Sequence, residues 1–219
     1  MQSIEHTDVE TLANQVIKHC ENSKNTRFLV GIVGTPGAGK STLAGRLMKQ
    51  INKLLCQDIS VVVPMDGFHY HNDILVEKGL LALKGKPETF DAENFVKLVK
   101  KIASEKGEKI YCPSYSRVIH NPVPNSIVVE NNHKIIIIEG NYLLLETSPW
   151  NELANFFDET WFIETSNVIC KERLIRRHMK PGKTSKEALQ KIESTDAPNA
   201  ELILQTRPRA SKRIKITSL

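Results

Sequence analysis

The sequence predicts an α/β fold built on a mainly parallel central sheet with helices on both sides. Three observations predict it. Short apolar, β-branched runs alternate with segments whose apolar residues recur every three or four positions, the pattern of strands joined by crossover helices. One such run, residues 135–138, is four consecutive isoleucines, as for a strand buried on both faces. The stretch Gly34-Thr35-Pro36-Gly37-Ala38-Gly39-Lys40-Ser41 lies between a strand pattern and a helix pattern and fits G-x-x-x-x-G-K-[ST], the phosphate-binding P-loop.

Each element can be justified in order. Thr7-x-x-Glu10 is a capping-box pattern ahead of Leu12, Val16 and Ile17, so a short helix is expected over 7–22. Residues 28–33 (FLVGIV) read as a buried strand, and Leu43, Leu47, Ile51 and Leu54 mark the helix after the P-loop. Residues 59–64 (ISVVVP) read as a second buried strand and 72–83 as a helix or helical loop. Residues 84–87 form a basic, glycine-containing break. Asp91 can cap a helix presenting Phe95, Leu98, Val99 and Ile102 on one face. Residues 109–112 and 126–129 are short strand candidates. After the isoleucine strand, Ser148-Pro149 opens a short helix with proline at its first position. Residues 160–164 form another strand and 166–179 a very basic helix, broken by Pro181-Gly182. Thr184-x-x-Glu187 caps the next helix, 200–205 is helical and 213–217 is a last strand. The P-loop in this setting makes the predicted fold a three-layer α/β/α P-loop NTPase domain spanning 1–219.

At 219 residues the chain suits one such domain with a full core. A hydrophobic content of 40% and a charged content of 25% are ordinary for a globular protein. A net charge of +5 fits anionic ligands without requiring them. The four cysteines are scattered with no CxxC pair, so Cys56 and Cys112 read as buried free thiols. No apolar run approaches the ~20 residues of a membrane span and no signal-peptide core is present. A cytoplasmic setting and no membrane partner are therefore expected.

The candidate chemistry gathers where strands end, because ligands of open parallel sheets bind at the strands' C-terminal ends. The glycines of the P-loop let its backbone approach a ligand, and successive N–H groups form an anion nest at a helix N-terminus. The cofactor-binding set is Gly34, Thr35, Pro36, Gly37, Ala38, Gly39, Lys40, Ser41 and Thr42. Lys40 reaches the β- and γ-phosphates and Ser41 ligates Mg²⁺. Asp66 leaves the second strand, expected beside the P-loop, and suits a general base that orients an acceptor hydroxyl and takes its proton. Glu139 ends the isoleucine strand and fits a Walker-B acid at the metal. Arg173, Arg176, Arg177, His178, Lys180 and Lys183 crowd one segment, and Arg173 and Arg177 share a face at i, i+4 spacing suited to phosphate. His69 and His71 lie close to Asp66 as substrate contacts or loop hydrogen bonds. No spacing suggests zinc, and no G-x-S-x-G elbow is present.

Taken together, these pieces resemble the P-loop kinase group of phosphoribulokinase, uridine kinase and bacterial-type pantothenate kinase. The likeness is carried in order by GTPGAGKS at 34–41, PMDGFH at 64–69, KGKPETFD at 84–91, PSYSRVIHNPV at 113–123 and IIIIEGNYLL at 135–144, with RLIRRH at 173–178 as a looser match. Its compact acceptor region is similar to the short nucleoside, sugar or pantothenate kinase-like branch. Gly67-Phe68-His69 stands where uridine kinases carry Ser-Phe-Tyr. The resemblance implies Asp66 as catalytic base, Glu139 as metal-associated acid, and Arg173 and Arg177 as arginines of a lid over about 173–186. It places Tyr115 and Arg117 in the acceptor pocket and KGKPETFD beside it.

The expected activity is transfer of the γ-phosphate of MgATP to a hydroxyl of a small metabolite. The acceptor pocket would be formed by Asp66, His69, Tyr115, Arg117 and Asn141, with adenine near residues 206–210. A pantothenate-like molecule, a sugar and a nucleoside all suit the acceptor. The rival class is a nucleotide-driven NTPase or switch, for which no water-positioning signature stands out. A nucleic-acid-binding module ranks third: aromatics are only 6% and none interleave with the basic residues as stacking platforms, so no nucleic-acid partner is expected. The sequence is compatible with a homodimer.

Overall fold

A computed structural model describes residues 3–105, 107–179 and 184–217. Among the described residues, eight strands and seven α-helices run in the order β1 (Ile4–Thr7), α1 (Val9–Asn22), β2 (Phe28–Val33), α2 (Lys40–Leu55), β3 (Ser60–Pro64), α3 (Asn72–Glu77), α4 (Ala92–Ser104), β4 (Ile110–Ser116), β5 (Asn121–Val129), β6 (Ile135–Gly140), β7 (Glu159–Ile163), α5 (Asn167–Met179), α6 (Ser185–Lys191), α7 (Ala197–Gln205) and β8 (Lys212–Ile216). Six strands form one sheet in the order β1-β8-β7-β2-β6-β3, and every pairing in it is parallel. The fold is α/β, as the alternating pattern predicts.

The alternation of side chains along the strands divides the core in two. On one face Val30, Ile32, Ile135, Ile137 and Trp161 pack against Leu12 and Val16 of α1 and Leu43, Leu47 and Ile51 of α2. On the other, Leu29, Val33, Ile136, Ile138 and Phe162 pack against Phe95 and Val99 of α4, Trp150 and Ile203 of α7. The isoleucine strand β6 is buried on both faces because it lies between β2 and β3. Among the described residues no helix is long and apolar enough to cross a membrane.

Several local expectations are corrected. Thr7 does not cap the first helix. It is the last residue of β1, paired with Ile216, and Asp8 caps α1 by accepting the Thr11 N–H at 2.7 Å. Leu54 is exposed, outside the buried stripe of α2. β3 is an edge strand, so Val61 and Val62 are only half-buried. The two strand candidates around 110 and 128 are parts of longer strands that pair antiparallel as a separate hairpin. Pro149 precedes the 3-10 turn Trp150–Asn155 as its cap rather than opening it. α7 starts at Ala197, three residues early, running on from the π-turn Ile192–Asp196. Cys112 is buried as expected, but Cys56 is exposed at the left-handed end of α2 (φ 49°).

Candidate active site

Three neighbouring strands deliver the site. In register, Val33 at the end of β2 pairs with Gly140, and Pro64 at the end of β3 pairs with Glu139. The P-loop, Glu139 and Asp66 therefore emerge side by side at one edge of the sheet. β6 lies between β2 and β3, so Glu139 is next to the P-loop and Asp66 is one strand further away. This corrects the expectation that Asp66 adjoins the P-loop: the chain leaving α2 skips the neighbouring position, which β6 fills later.

The loop's conformation follows from its glycines. Gly37 and Gly39 take φ values of +80° and +100°, open to glycine and costly for other residues. A Cβ on Gly37 would also lie 2.6 Å from the Cys170 carbonyl oxygen. The loop's carbonyl side is tied to α5: Arg173 Nη1 donates to the Gly37 and Ala38 oxygens at 3.3 and 3.2 Å, and Thr165 Oγ1 donates to the Ala38 oxygen at 3.0 Å. A loop held by its carbonyls on one side turns N–H groups to the other, the arrangement that binds anions.

Lys40 is buried, and its Nζ donates to the Gly34 and Thr35 carbonyl oxygens at 2.9 and 3.2 Å. Burial lowers its pKa, while Glu139 and Asp66 oppose the shift. Ser41 Oγ donates to Glu139 Oε1 at 2.8 Å. Burial first, and the Asp66 charge second, raise the Glu139 pKa. For Asp66 burial pushes upward, but His69, Arg117, Arg177 and Lys40 together outweigh it and hold the carboxyl below the ordinary range. The nearest ion pair is Asp66 Oδ2 with Arg117 Nη2 at 3.2 Å.

Asp66 lies in the 3-10 turn Met65–Phe68, directly under the β4–β5 hairpin. A Cβ on Gly67 would sit 2.4 Å from the Pro113 oxygen, so glycine there is what lets turn and hairpin touch. The hairpin brings Tyr115 and Arg117 over the turn. His69 Nδ1 donates to the Asp66 carbonyl oxygen at 2.9 Å, and its ring lies between Phe90 (3.9 Å between centroids) and Tyr115 (4.8 Å). Burial lowers the His69 pKa, so the ring stays neutral near pH 7. Burial and the Asp66 charge push the Tyr115 phenol up to about 12. Asn141 follows β6 and is half-buried.

The two arginines of the basic helix have different surroundings. Arg173 grips the P-loop backbone. Arg177 keeps accessible surface at the mouth, yet nearby atoms desolvate its guanidinium, lowering its pKa, and Arg117, Asp66, Asp196 and Glu139 all act on it. His178, on the same helix, bonds Asp196 at 2.7 Å instead. Residues 180–183 of the expected lid lie outside the described residues, whereas the capping box that follows them is complete: Thr184 and Glu187 bond reciprocally at 2.8 and 3.3 Å. In the segment 206–210, where adenine is expected, Thr206 and Ala210 are buried, Arg209 is bound to Leu144 and Glu146, and Pro208 is exposed.

Reasoning from the sequence did not single out Lys84 and Phe90. Lys84 Nζ donates to the Asn72 amide oxygen and the His120 carbonyl oxygen and lies 5.3 Å from the Tyr115 ring centre. Phe90 forms a bridge with His69, and the Asp91 N–H donates to the Phe68 oxygen, zipping the segment 84–91 onto the turn that carries Asp66. The available signal was the KGKPETFD segment itself, which has no periodicity to mark the residues facing the site.

A phosphate loop opening a helix, with acids one and two strands away and aromatic and cationic side chains around the farther acid, defines a phosphotransferase of the P-loop class. The model of the phosphoribulokinase / uridine kinase family matches residues 29–210. A Schizosaccharomyces pombe protein provisionally named a uridine kinase is 34% identical over 198 residues, covering 87% of this chain and 82% of its own. The Escherichia coli protein YggC is 35% identical over 194 residues, covering 87% of this chain and 78% of its own. A solved structure from Silicibacter sp. TM1040, described provisionally as a fructose transport system kinase, superposes with a TM-score of 0.83 at 29% identity, covering 95% of this chain and 98% of its own. The chain belongs to the phosphoribulokinase / uridine kinase family and is an ATP-dependent phosphotransferase acting on an alcohol group.

Proposed function

We propose that the chain works as one kinase unit that transfers the γ-phosphate of MgATP to a hydroxyl of a small metabolite, with Asp66 as the base. One observation carries the reading: the P-loop lysine and serine, Glu139 and Asp66 converge at the ends of three adjacent strands, with Ser41 bonded to Glu139 at 2.8 Å and the Asp66 charge acting on both Lys40 and Glu139.

ATP phosphates would lie against the loop N–H groups, and Lys40 would exchange its bonds to the Gly34 and Thr35 oxygens for phosphate oxygens. The Ser41 hydroxyl and the Glu139 carboxylate are adjacent hard oxygen donors and fit Mg²⁺, which takes few protein ligands and completes its shell with water and phosphate. When bound, the ion would neutralise charge on the phosphates. Asp66, ionised at neutral pH, would accept the proton of the acceptor hydroxyl. The acceptor oxygen forms its bond to the γ-phosphorus as the bond from that phosphorus to the β–γ bridging oxygen breaks, and ADP leaves. Arg177 would supply positive charge at the transferring group, and Arg173 would keep the P-loop in shape. Tyr115 and neutral His69 would wall the acceptor, with Arg117 and Asn141 at its polar end.

The test is ADP release from MgATP across pantothenate, nucleosides, pentoses, hexoses and glycerate, with the phosphorylated product identified by mass spectrometry. Stimulation by one compound with matching product mass is expected. Lys40→Ala should cut that rate by about 10²–10³-fold, the usual worth of one donor to a developing charge. Near-normal transfer in this variant would overturn the assignment, and steady ATP hydrolysis indifferent to every acceptor would turn the reading to an NTPase.

A further inference from the structure

We propose that the acceptor carries a negative charge, as a carboxylate or a phosphate ester, and that Arg117 reads this charge and releases Asp66 in doing so. The inference rests on the kinase reading above and adds the chemical class of the acceptor.

The first observation is the partner of Arg117. It pairs with the proposed base, Oδ2 to Nη2 at 3.2 Å, and the two side chains retain 30% and 51% of their accessibility. An ion pair this open contributes little, so a competing anion displaces it at little cost. The guanidinium fork suits bidentate binding of a carboxylate or a phosphate. The pairing has a chemical consequence: a carboxylate held by Arg117 is a poorer proton acceptor than a free one. A neutral alcohol entering the pocket brings nothing to draw Arg117 away. An anionic acceptor brings its own counter-charge for Arg117 and leaves Asp66 to its hydroxyl.

The second observation is the pocket wall beyond Arg117. Lys84 stands over the other side of Tyr115, and its partners among the described residues are the neutral oxygens of Asn72 and His120. Lys191 adjoins it, donating to the Lys84 carbonyl oxygen at 3.0 Å. Arg177 overlooks the same space. Asp196, a carboxylate that acts on Arg177, is bonded to His178. Arg117, Lys84 and Arg177 thus put positive charge around Tyr115 and Asp66, and Asp66 becomes neutral as it takes the proton. Such a wall favours an anion and gives a neutral sugar or nucleoside no matching charge.

The experiment compares matched pairs that differ in charge: glycerate with glycerol, pantothenate with panthenol, gluconate with glucose, and ribose 5-phosphate with ribose. Product formation is followed by mass spectrometry in wild type, Arg117→Met and Arg117→Lys. The charged member of the accepted pair should exceed its neutral partner by about tenfold or more in kcat/KM, as expected where recognition is polar. Arg117→Met should erase most of that ratio, and Arg117→Lys should retain part of it. The hydroxy-acid and phosphate pairs separate the two sources of charge. Charged and neutral members turned over within about threefold of each other would overturn the inference and leave the kinase reading standing. If no compound is phosphorylated, calorimetric titration in the presence of a non-hydrolysable MgATP analogue decides. Charged members that bind wild type but not Arg117→Met support the anionic site while the transfer reading fails. Charged members that do not bind overturn the inference.

Discussion

At neutral pH Asp66 is held by permanent cations from two sides, the hairpin's Arg117 and, from the phosphate side, Lys40 and Arg177, with His69 of its own turn adding to their effect. Their joint effect outweighs burial, so the carboxylate is ionised at neutral pH and ready to accept a proton. Asp66→Asn should lower kcat by about 10²–10⁴-fold, the span of a lost general base. MgATP affinity, read by calorimetry, should stay close to wild type, and a collapse of that affinity would assign Asp66 to the metal or the scaffold. The pH profile has a definite sign. Arg117 favours the ionised form of Asp66 and, more weakly, of Glu139. Removing it in Arg117→Met should therefore move the acid limb of kcat/KM to higher pH. An unmoved limb would show that neither carboxylate sets it. The Tyr115 phenol, pushed to about 12, should contribute no titration near neutrality.

At the scale of elements, the contact between the 65–68 turn and the β4–β5 hairpin decides whether the proposed base and the proposed acceptor wall meet. Gly67 permits it, since a Cβ would lie 2.4 Å from the Pro113 oxygen. Gly67→Ala should force turn and hairpin apart, cost about 1–3 kcal/mol as overpacking does, and raise KM for the acceptor more than for ATP. Equal effects on both KM values would mean that the strain has spread to the P-loop. The hairpin is also where reading from sequence fell short. Residues 109–112 and 126–129 show β-branched and aromatic character, but the middle of the hairpin, from Pro113 to Asn125, is polar and proline-rich and has no strand pattern. Its strands are made by pairing with each other, with a register shift at Pro113. By contrast, β2, β6 and β7 were legible because burial on both faces leaves a continuous apolar run, and the Asp91 and Thr184 caps were legible because capping is local.

At the scale of the molecule, Arg27 joins parts far apart in the chain. It is 3% exposed, and its guanidinium donates to the carbonyl oxygens of Ile102, Glu105, Glu130 and His133. These lie at the end of α4 and in the connection from β5 to β6, opposite the end of the sheet that carries the site. Arg27→Met should leave several buried carbonyls without a donor, destabilise by about 2–4 kcal/mol and lower Tm by roughly 5–15 °C. Turnover per folded molecule at low temperature should be unchanged, and an unshifted melt would show that water replaces the guanidinium. The sequence by itself determined the α/β class, the P-loop and its strand–helix setting, and the acids that end two strands, because each is written in neighbouring residues. Only the tertiary structure decided that β6 separates β2 from β3, that Arg173 bonds the P-loop while Arg177 acts on Asp66, and that Lys84 and Phe90 pack against Tyr115 and His69. Those facts depend on strand order and on contacts between segments that are not neighbours in sequence, which local periodicity does not encode.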